Sequence, residues 1–150
     1  MSEFYPTESN REKAFHEEIR KLFDHDISKI QLTDKTSDDG VLTLDFHTLT
    51  VLCVLMEVKN EIGTGSCDPI TQAAASYAKF YTQQKNDKLL KACNMPCFII
   101  GLAGPWICVL GAVYAEKPIV EPLTAFEPLI ATYDRTHILK LHDSLRLCAW

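Results

Sequence analysis

Val51-Leu-Cys-Val-Leu-Met-Glu-Val-Lys59 is the stretch whose reading decides the fold. The apolar run from Val51 to Met56 reads as a buried strand, and it ends on a Glu-x-Lys. A carboxylate and an ammonium two residues apart on a strand point to the same face, so Glu57 and Lys59 enter one pocket. Charges are seldom placed in such a strand without a partner or a task. The chemistry that uses this pair is metal-assisted phosphodiester hydrolysis: Glu57 ligates Mg²⁺ or Mn²⁺ while Lys59 steadies the attacking water or the charge building on phosphate.

Upstream, Val41 to Phe46 reads as a second strand, joined to Thr50 to Lys59 by a short connection around His47-Thr48-Leu49. With the hairpin centred near Thr48, antiparallel partners sum to about 96, which sets Asp39 opposite Glu57 and Asp45 opposite Val51. At about 3.3 Å per residue Asp45 then lies roughly 20 Å from Glu57, so Asp39 is the acid able to share a metal with it. A bulge or longer turn would shift the register and promote Asp38 instead.

Before the hairpin, Ser9-Asn-Arg-Glu12 has the capping-box form, and Phe15, Ile19, Leu22 and Phe23 predict a helix from about Asn10 to Phe23. Helical spacing puts Glu18 beside Phe15 and Leu22 on the inner face and Glu17 on the outer one. Ile27 to Leu32 reads as a short strand, followed by a polar, turn-rich loop to Gly40. After the hairpin, Asp68 caps a helix that opens on Pro69, runs to about Gln84 and carries Ala73, Tyr77, Phe80 and Tyr81 on one face. Its N-terminus begins near the pocket, where backbone N–H groups are expected to hold a phosphate oxygen.

Gln83 to Lys91 is polar and basic. Pro96 to Ala103 and Trp106 to Ala115 then read as strands around a Gly104-Pro105 turn, with Pro118 to Leu123 as an edge strand, where prolines are tolerated. Thr124-Ala-Phe-Glu127 repeats the capping-box pattern, and Ile138, Leu141 and Leu145 predict a last helix from about Asp134 to Leu147.

At 150 residues, 47% apolar and 23% charged, the chain is long enough for one domain with a proper core. A net charge of −5 argues against coating DNA through the whole surface and leaves room for a local basic groove. No run approaches the ~18 apolar residues of a membrane span, and the polar N-terminus is unlike a secretory signal, so an intracellular, cytoplasmic or nuclear protein is expected. In that setting the six cysteines are weak evidence for bridges. Cys93-Asn-Met-Pro-Cys97 has ligand-like spacing but lacks a second Cys or His pair, which argues against zinc. A thiol enzyme on Cys67 or Cys97 lacks an oriented His. Gly63-Thr-Gly65 lacks the Lys or acidic follow-up of a nucleotide loop. Lys85, Lys88 and Lys91 are explained by a solvated helix end more cheaply than by a nucleic-acid backbone.

The order of helix, hairpin carrying an acid and Glu-x-Lys, helix and two further strands resembles the PD-(D/E)XK nuclease superfamily. That implies an α/β, restriction-endonuclease-like fold with a central mixed β-sheet flanked by helices. Asp39 matches the superfamily's Asp and Glu57-Val-Lys59 its Glu-x-Lys, although Asp38 stands where the preceding Pro belongs. Glu18 corresponds to the acidic residue of the first helix. Gln72 and Tyr77 look like the Gln and Tyr of RecB-like members at a longer spacing. The resemblance implies Mg²⁺ or Mn²⁺ held by Asp39, Glu57 and the carbonyl of Val58, with Lys59, Glu18 and Gln72 completing the catalytic set.

A narrower resemblance, carried by Asp38-Asp-Gly-Val41, Glu57 to Gly65, Asp68-Pro, Gln72, Ser76-Tyr77 and Leu102 to Val113, is to a module of fungal crinkler-type and kinase-associated proteins. On that resemblance residues 1–150 form a single nuclease-like domain of a larger protein with a kinase-like partner region. Two functions are then expected: a nuclease acting on nucleic acid, DNA ahead of RNA, or a catalytically inactive interaction module.

Overall fold

The computed structural model describes residues 5–23, 25–29, 39–46, 49–63, 67–83 and 86–129. The apolar run that ends in Glu-x-Lys forms the long strand β2 (Leu49–Lys59), paired antiparallel with β1 (Gly40–Phe46). At the Lys59 end the register is the expected one, with Gly40 across from Met56 and Leu42 across from Val54. Thr43 then faces Leu52, so Cys53 is an extra residue in a β-bulge and Asp45 lies opposite Thr50 rather than Val51. Because the bulge resets the alternation, Leu52 and Leu55, three residues apart, both join one core. Val54, Met56 and Val58 join the core on the other side.

From β2 the chain crosses through α2 (Pro69–Tyr81) and α3 (Asp87–Ala92) to β3 (Cys97–Ala103), which pairs parallel to β2. A parallel neighbour requires such a crossover, and helices commonly supply it. β4 (Trp106–Tyr114) returns antiparallel, followed by β5 (Pro118–Pro122) and β6 (Glu127–Pro128), which pair with opposite ends of β4. The result is a mixed six-stranded sheet of order β1-β2-β3-β4-β5, with β6 also on β4. Its helices are α1 (Glu8–Phe23), α2 and α3. One core packs Tyr77, Phe80 and Tyr81 of α2 on Leu55, Ile99 and Leu110. The second packs Phe15 and Ile19 of α1 with Val54, Met56, Ile100 and Leu102.

Local chemistry explains most element ends. The Asp68 carboxylate accepts from the amides of Ile70 and Thr71 at 2.9 and 3.2 Å, and Pro69 takes the position whose missing N–H costs nothing. α2 stops at Tyr81, short of Gln84; Thr82 terminates it, donating both its amide and its hydroxyl to the carbonyl of Ala78. α1 begins two residues earlier than expected, because Thr7 rather than Ser9 caps it, its hydroxyl accepting from the Asn10 amide at 3.2 Å.

The second capping-box pattern does not open a helix at residues 124–128. The Thr124 hydroxyl instead accepts from the Val109 amide at 3.0 Å, and the amides of Leu123 and Thr124 donate to the Val109 carbonyl. The edge of β4 consumes the groups a helix would need, and Glu127–Pro128 continues as strand. Of the strand expected at Ile27, the described residues hold one bridge between Ser28 and Val41. The expected helix from Asp134 lies outside the described residues, as does Asp38.

Candidate functional site

Strand alternation carries Glu57 and Lys59 to the face of β2 that Leu55 presents to α2. Glu57 is 1% exposed, and its Oε1 accepts from Lys59 Nζ at 2.9 Å. In the parallel ladder Glu57 lies beside Gly101 of β3, and Gly101 in turn beside Cys108 of β4. A Cβ on Gly101 would stand 3.0 Å from Ile70 Cγ1, so the missing side chain is what lets the first turn of α2 settle over this row. The pair therefore sits at the carboxyl ends of two parallel strands and under the start of the crossover helix. Open α/β sheets bind their ligands at this position.

Asp39, one residue before β1, completes the acidic side. Its Oδ2 accepts from the Val58 amide at 2.7 Å, which ties it to the middle residue of the Glu-x-Lys. Lys59 is consequently surrounded by negative charge. Burial alone would lower its pKa, but the hydrogen bond and charge of Glu57, joined by Glu8 and Asp39, outweigh burial and hold it above the usual lysine value. The ammonium is thus held as a cation, its side chain 13% exposed.

Glu18 does not take the inward position expected of it. Glu18 lies on the exposed side of α1 with its carboxylate on Lys21 at 2.7 Å. The buried face runs along Arg11, Phe15 and Ile19 and is flanked by half-buried Glu12, His16 and Phe23, which turns Glu18 roughly 90° away. Gln72 is half-buried in the first turn of α2, one turn before buried Ser76, and its amide donates to the Asp68 carbonyl. The start of α2 does not present the expected row of amides to a phosphate, because Pro69 has none and those of Ile70 and Thr71 are held by Asp68. Tyr77 packs in the core, donating its hydroxyl to the Met95 carbonyl at 2.8 Å.

The structure adds residues that the helical pattern contained but that the reading passed over. Arg11 falls four residues before Phe15 on the same stripe and is 5% exposed. It donates to the Gly104 carbonyl at 2.6 Å and to Asn60 Oδ1 at 3.4 Å, with the Tyr5 ring 4.9 Å from its guanidinium carbon. Gly104, at φ +59° in the β3–β4 turn, donates its amide to the Lys59 carbonyl at 3.0 Å. Arg11 therefore locks the backbone around Lys59 from α1. Glu8, in the first turn of the same helix, brings Oε1 to 3.9 Å from Lys59 Nζ. His16 lies against Asp39; burial holds its pKa below 6.5 despite the charges of Glu12 and Asp39.

Two carboxylates and the Val58 carbonyl are hard oxygen donors of the kind Mg²⁺ accepts when waters and substrate phosphates complete its shell. The donor chemistry fits that ion. Among the described residues no group of three or more His, Cys, Asp and Glu side chains is arranged to hold a metal, so a cage built of protein ligands alone is absent there. No family model matches the chain, and no curated protein or solved structure is significantly similar to it. The fold and site define an α/β protein with a mixed sheet and a buried Glu-Lys pair at the end of its parallel strands. Among the described residues no helix is long and apolar enough to cross a membrane.

Proposed function

We propose that this chain is a metal-dependent nuclease of the PD-(D/E)XK kind, hydrolysing phosphodiester bonds of DNA or RNA through Asp39, Glu57 and Lys59. The observation that carries the reading is the Lys59–Glu57 contact of 2.9 Å, inside a hairpin whose other strand is entered from Asp39. The order of α1, hairpin, crossover helix and parallel strand supports it as well. Asp39, Glu57 and the Val58 carbonyl would hold Mg²⁺ or Mn²⁺, which when bound supplies the Lewis acidity that polarises the scissile phosphate. Lys59, kept charged by its neighbours, orients the attacking water and offsets negative charge gathering on the phosphoryl oxygens. Arg11 acts through the backbone, holding the carbonyl side of Lys59 in place.

The test is a plasmid- and RNA-cleavage assay paired with calorimetric titration of Mg²⁺ and Mn²⁺. Glu57→Ala and Asp39→Ala are expected to lose both cation binding and cleavage. Lys59→Ala is expected to keep binding and lose cleavage by at least about 100-fold, the scale of a positioned proton-transfer or charge-stabilising group. Cleavage at the native rate by Lys59→Ala would falsify the assignment.

A second reading follows from the same pair. The Glu57 oxygen that accepts from Lys59 is engaged in an ion pair already, and such a pair also serves a nuclease-shaped module that binds a partner, such as a kinase-like region, without turnover. Full biological activity of an Asp39/Glu57 double variant would select this reading.

A further inference from the structure

Among the described residues Lys59 has two carboxylates within ion-pair distance, and they differ in character. Glu57 is buried and at 2.9 Å; Glu8 is 46% exposed, in the first turn of α1, and at 3.9 Å. We infer that Glu8 is a positioning residue that takes over the Lys59 ammonium when a divalent cation occupies Glu57. The inference rests on the nuclease reading and assigns a role that reading leaves open.

The argument is electrostatic and geometric. An ammonium hydrogen-bonded to a carboxylate competes with a divalent cation for the same oxygen, and the two positive charges repel at contact distance. Binding through Glu57 Oε1, the oxygen that accepts from Lys59, therefore requires Lys59 to move. Its backbone does not move with it, because the Lys59 carbonyl is held by the Gly104 amide and Gly104 by buried Arg11. The side chain, 13% exposed, has one described carboxylate besides Glu57 within ion-pair distance. Closing the gap to Glu8 by about 1 Å makes a normal charge-assisted hydrogen bond, and a half-exposed glutamate is free to supply that movement. Glu8 then keeps Lys59 charged and near the site while Glu57 turns to the cation. Arg11, three residues on in the same helix, fixes the distance over which the exchange occurs.

The test is a double-mutant cycle on cation affinity, read by calorimetric titration of Mn²⁺ into wild type, Glu8→Gln, Lys59→Met and the double variant, each checked for native circular dichroism. Glu8→Gln is expected to weaken Mn²⁺ binding about twofold to fivefold, the range a partly exposed ion pair produces. In the Lys59→Met background the same substitution is expected to change nothing, because no ammonium remains to be taken over. Equal weakening in both backgrounds would make Glu8 a direct ligand or a distant charge and overturn the inference. So would wild-type affinity in Glu8→Gln. Wild type that binds no cation overturns the nuclease reading itself, and this inference with it.

Discussion

Tyr77 and Tyr81 are fully buried in the core between α2 and the sheet, where their rings meet edge to face at 5.0 Å. Each hydroxyl has a backbone partner: Tyr77 donates to Met95, and Tyr81 accepts from the Leu52 amide at 3.0 Å beside the bulge. Burial pushes both phenols well above their ordinary value of 10.0. In the unfolded chain they ionise near pH 10 while in the fold they stay protonated, so the folded state binds more protons above that pH. Stability is therefore complete below about pH 10 and falls as pH rises beyond it, by up to about 1.4 kcal/mol per pH unit for each phenol. Urea unfolding of wild type and Tyr77→Phe between pH 9 and 11 checks this. The variant starts less stable, having lost a hydrogen bond, but is expected to show the shallower alkaline decline. An unchanged slope would remove Tyr77 from the account. These two tyrosines were legible in the sequence as one helical face. Their partners were not, since Met95 and Leu52 lie on other elements.

Between elements, the contact that positions the site is α2 on β3 at Gly101. The cap and Pro69 of α2 follow from residues 68–69 alone, so its start was readable without tertiary information. Where that start lands was not. Gly101 in Cys97–Ala103 reads as an ordinary apolar strand residue until the first turn of α2 is seen over it, 3.0 Å from where its Cβ would stand. Gly101→Ala places a methyl 3.0 Å from Ile70 Cγ1, with the Ile70 amide nitrogen and Pro69 Cβ in contact behind it. It is expected to cost the smaller amount, because a shift of a few tenths of an ångström by Ile70 relieves it. Gly101→Val forces the helix start away from Glu57 and is expected to cost about 1–3 kcal/mol, as overpacked cores do. Urea midpoints of the two variants separate these outcomes, and equal midpoints would mean that the approach at Gly101 is not tight.

The orientation of α1 shows the opposite balance. Its existence is plain from Phe15, Ile19 and Phe23, but the spacing of those apolar residues does not fix its rotation. Half-buried Glu12, His16 and Phe23 centre the inner face on the side of Ile19 away from Glu18, which goes out to solvent with Lys21. A buried arginine is unexpected from its chemistry, and the carbonyl of Gly104, the side chain of Asn60 and the ring of Tyr5 explain why it is there.

For the whole molecule, the cation binding proposed at Asp39 and Glu57 would be linked to folding. A ligand that binds only the folded chain stabilises it by RT ln(1 + [L]/Kd), about 2.7 kcal/mol at 100 times Kd. Thermal unfolding with saturating Mg²⁺ is therefore expected to shift upward relative to chelator, and Glu57→Ala is expected to show no shift. The same shift in both proteins would place the binding elsewhere. Net charge, −5 over the chain, gives no general attraction to polyanions, so any hold on a phosphodiester depends on local groups such as Lys59.

The sequence by itself determined the elements and much of their pairing. Apolar runs marked β2, β3 and β4, the prolines put 118–122 at an edge, and the hairpin itself was legible. Its register at the Asp39 end, by contrast, matches a centre at Thr48 only because the bulge at Cys53 offsets a turn one residue out of that count. Strand alternation alone placed Glu57 and Lys59 on one face. Only the tertiary structure decided how Lys59 is shared between Glu57 and Glu8, why Arg11 is buried, and which glycine admits the helix. Those facts depend on distances between residues far apart in the chain, set when α1 and α2 pack on opposite faces of the sheet, and local sequence pattern carries no record of them.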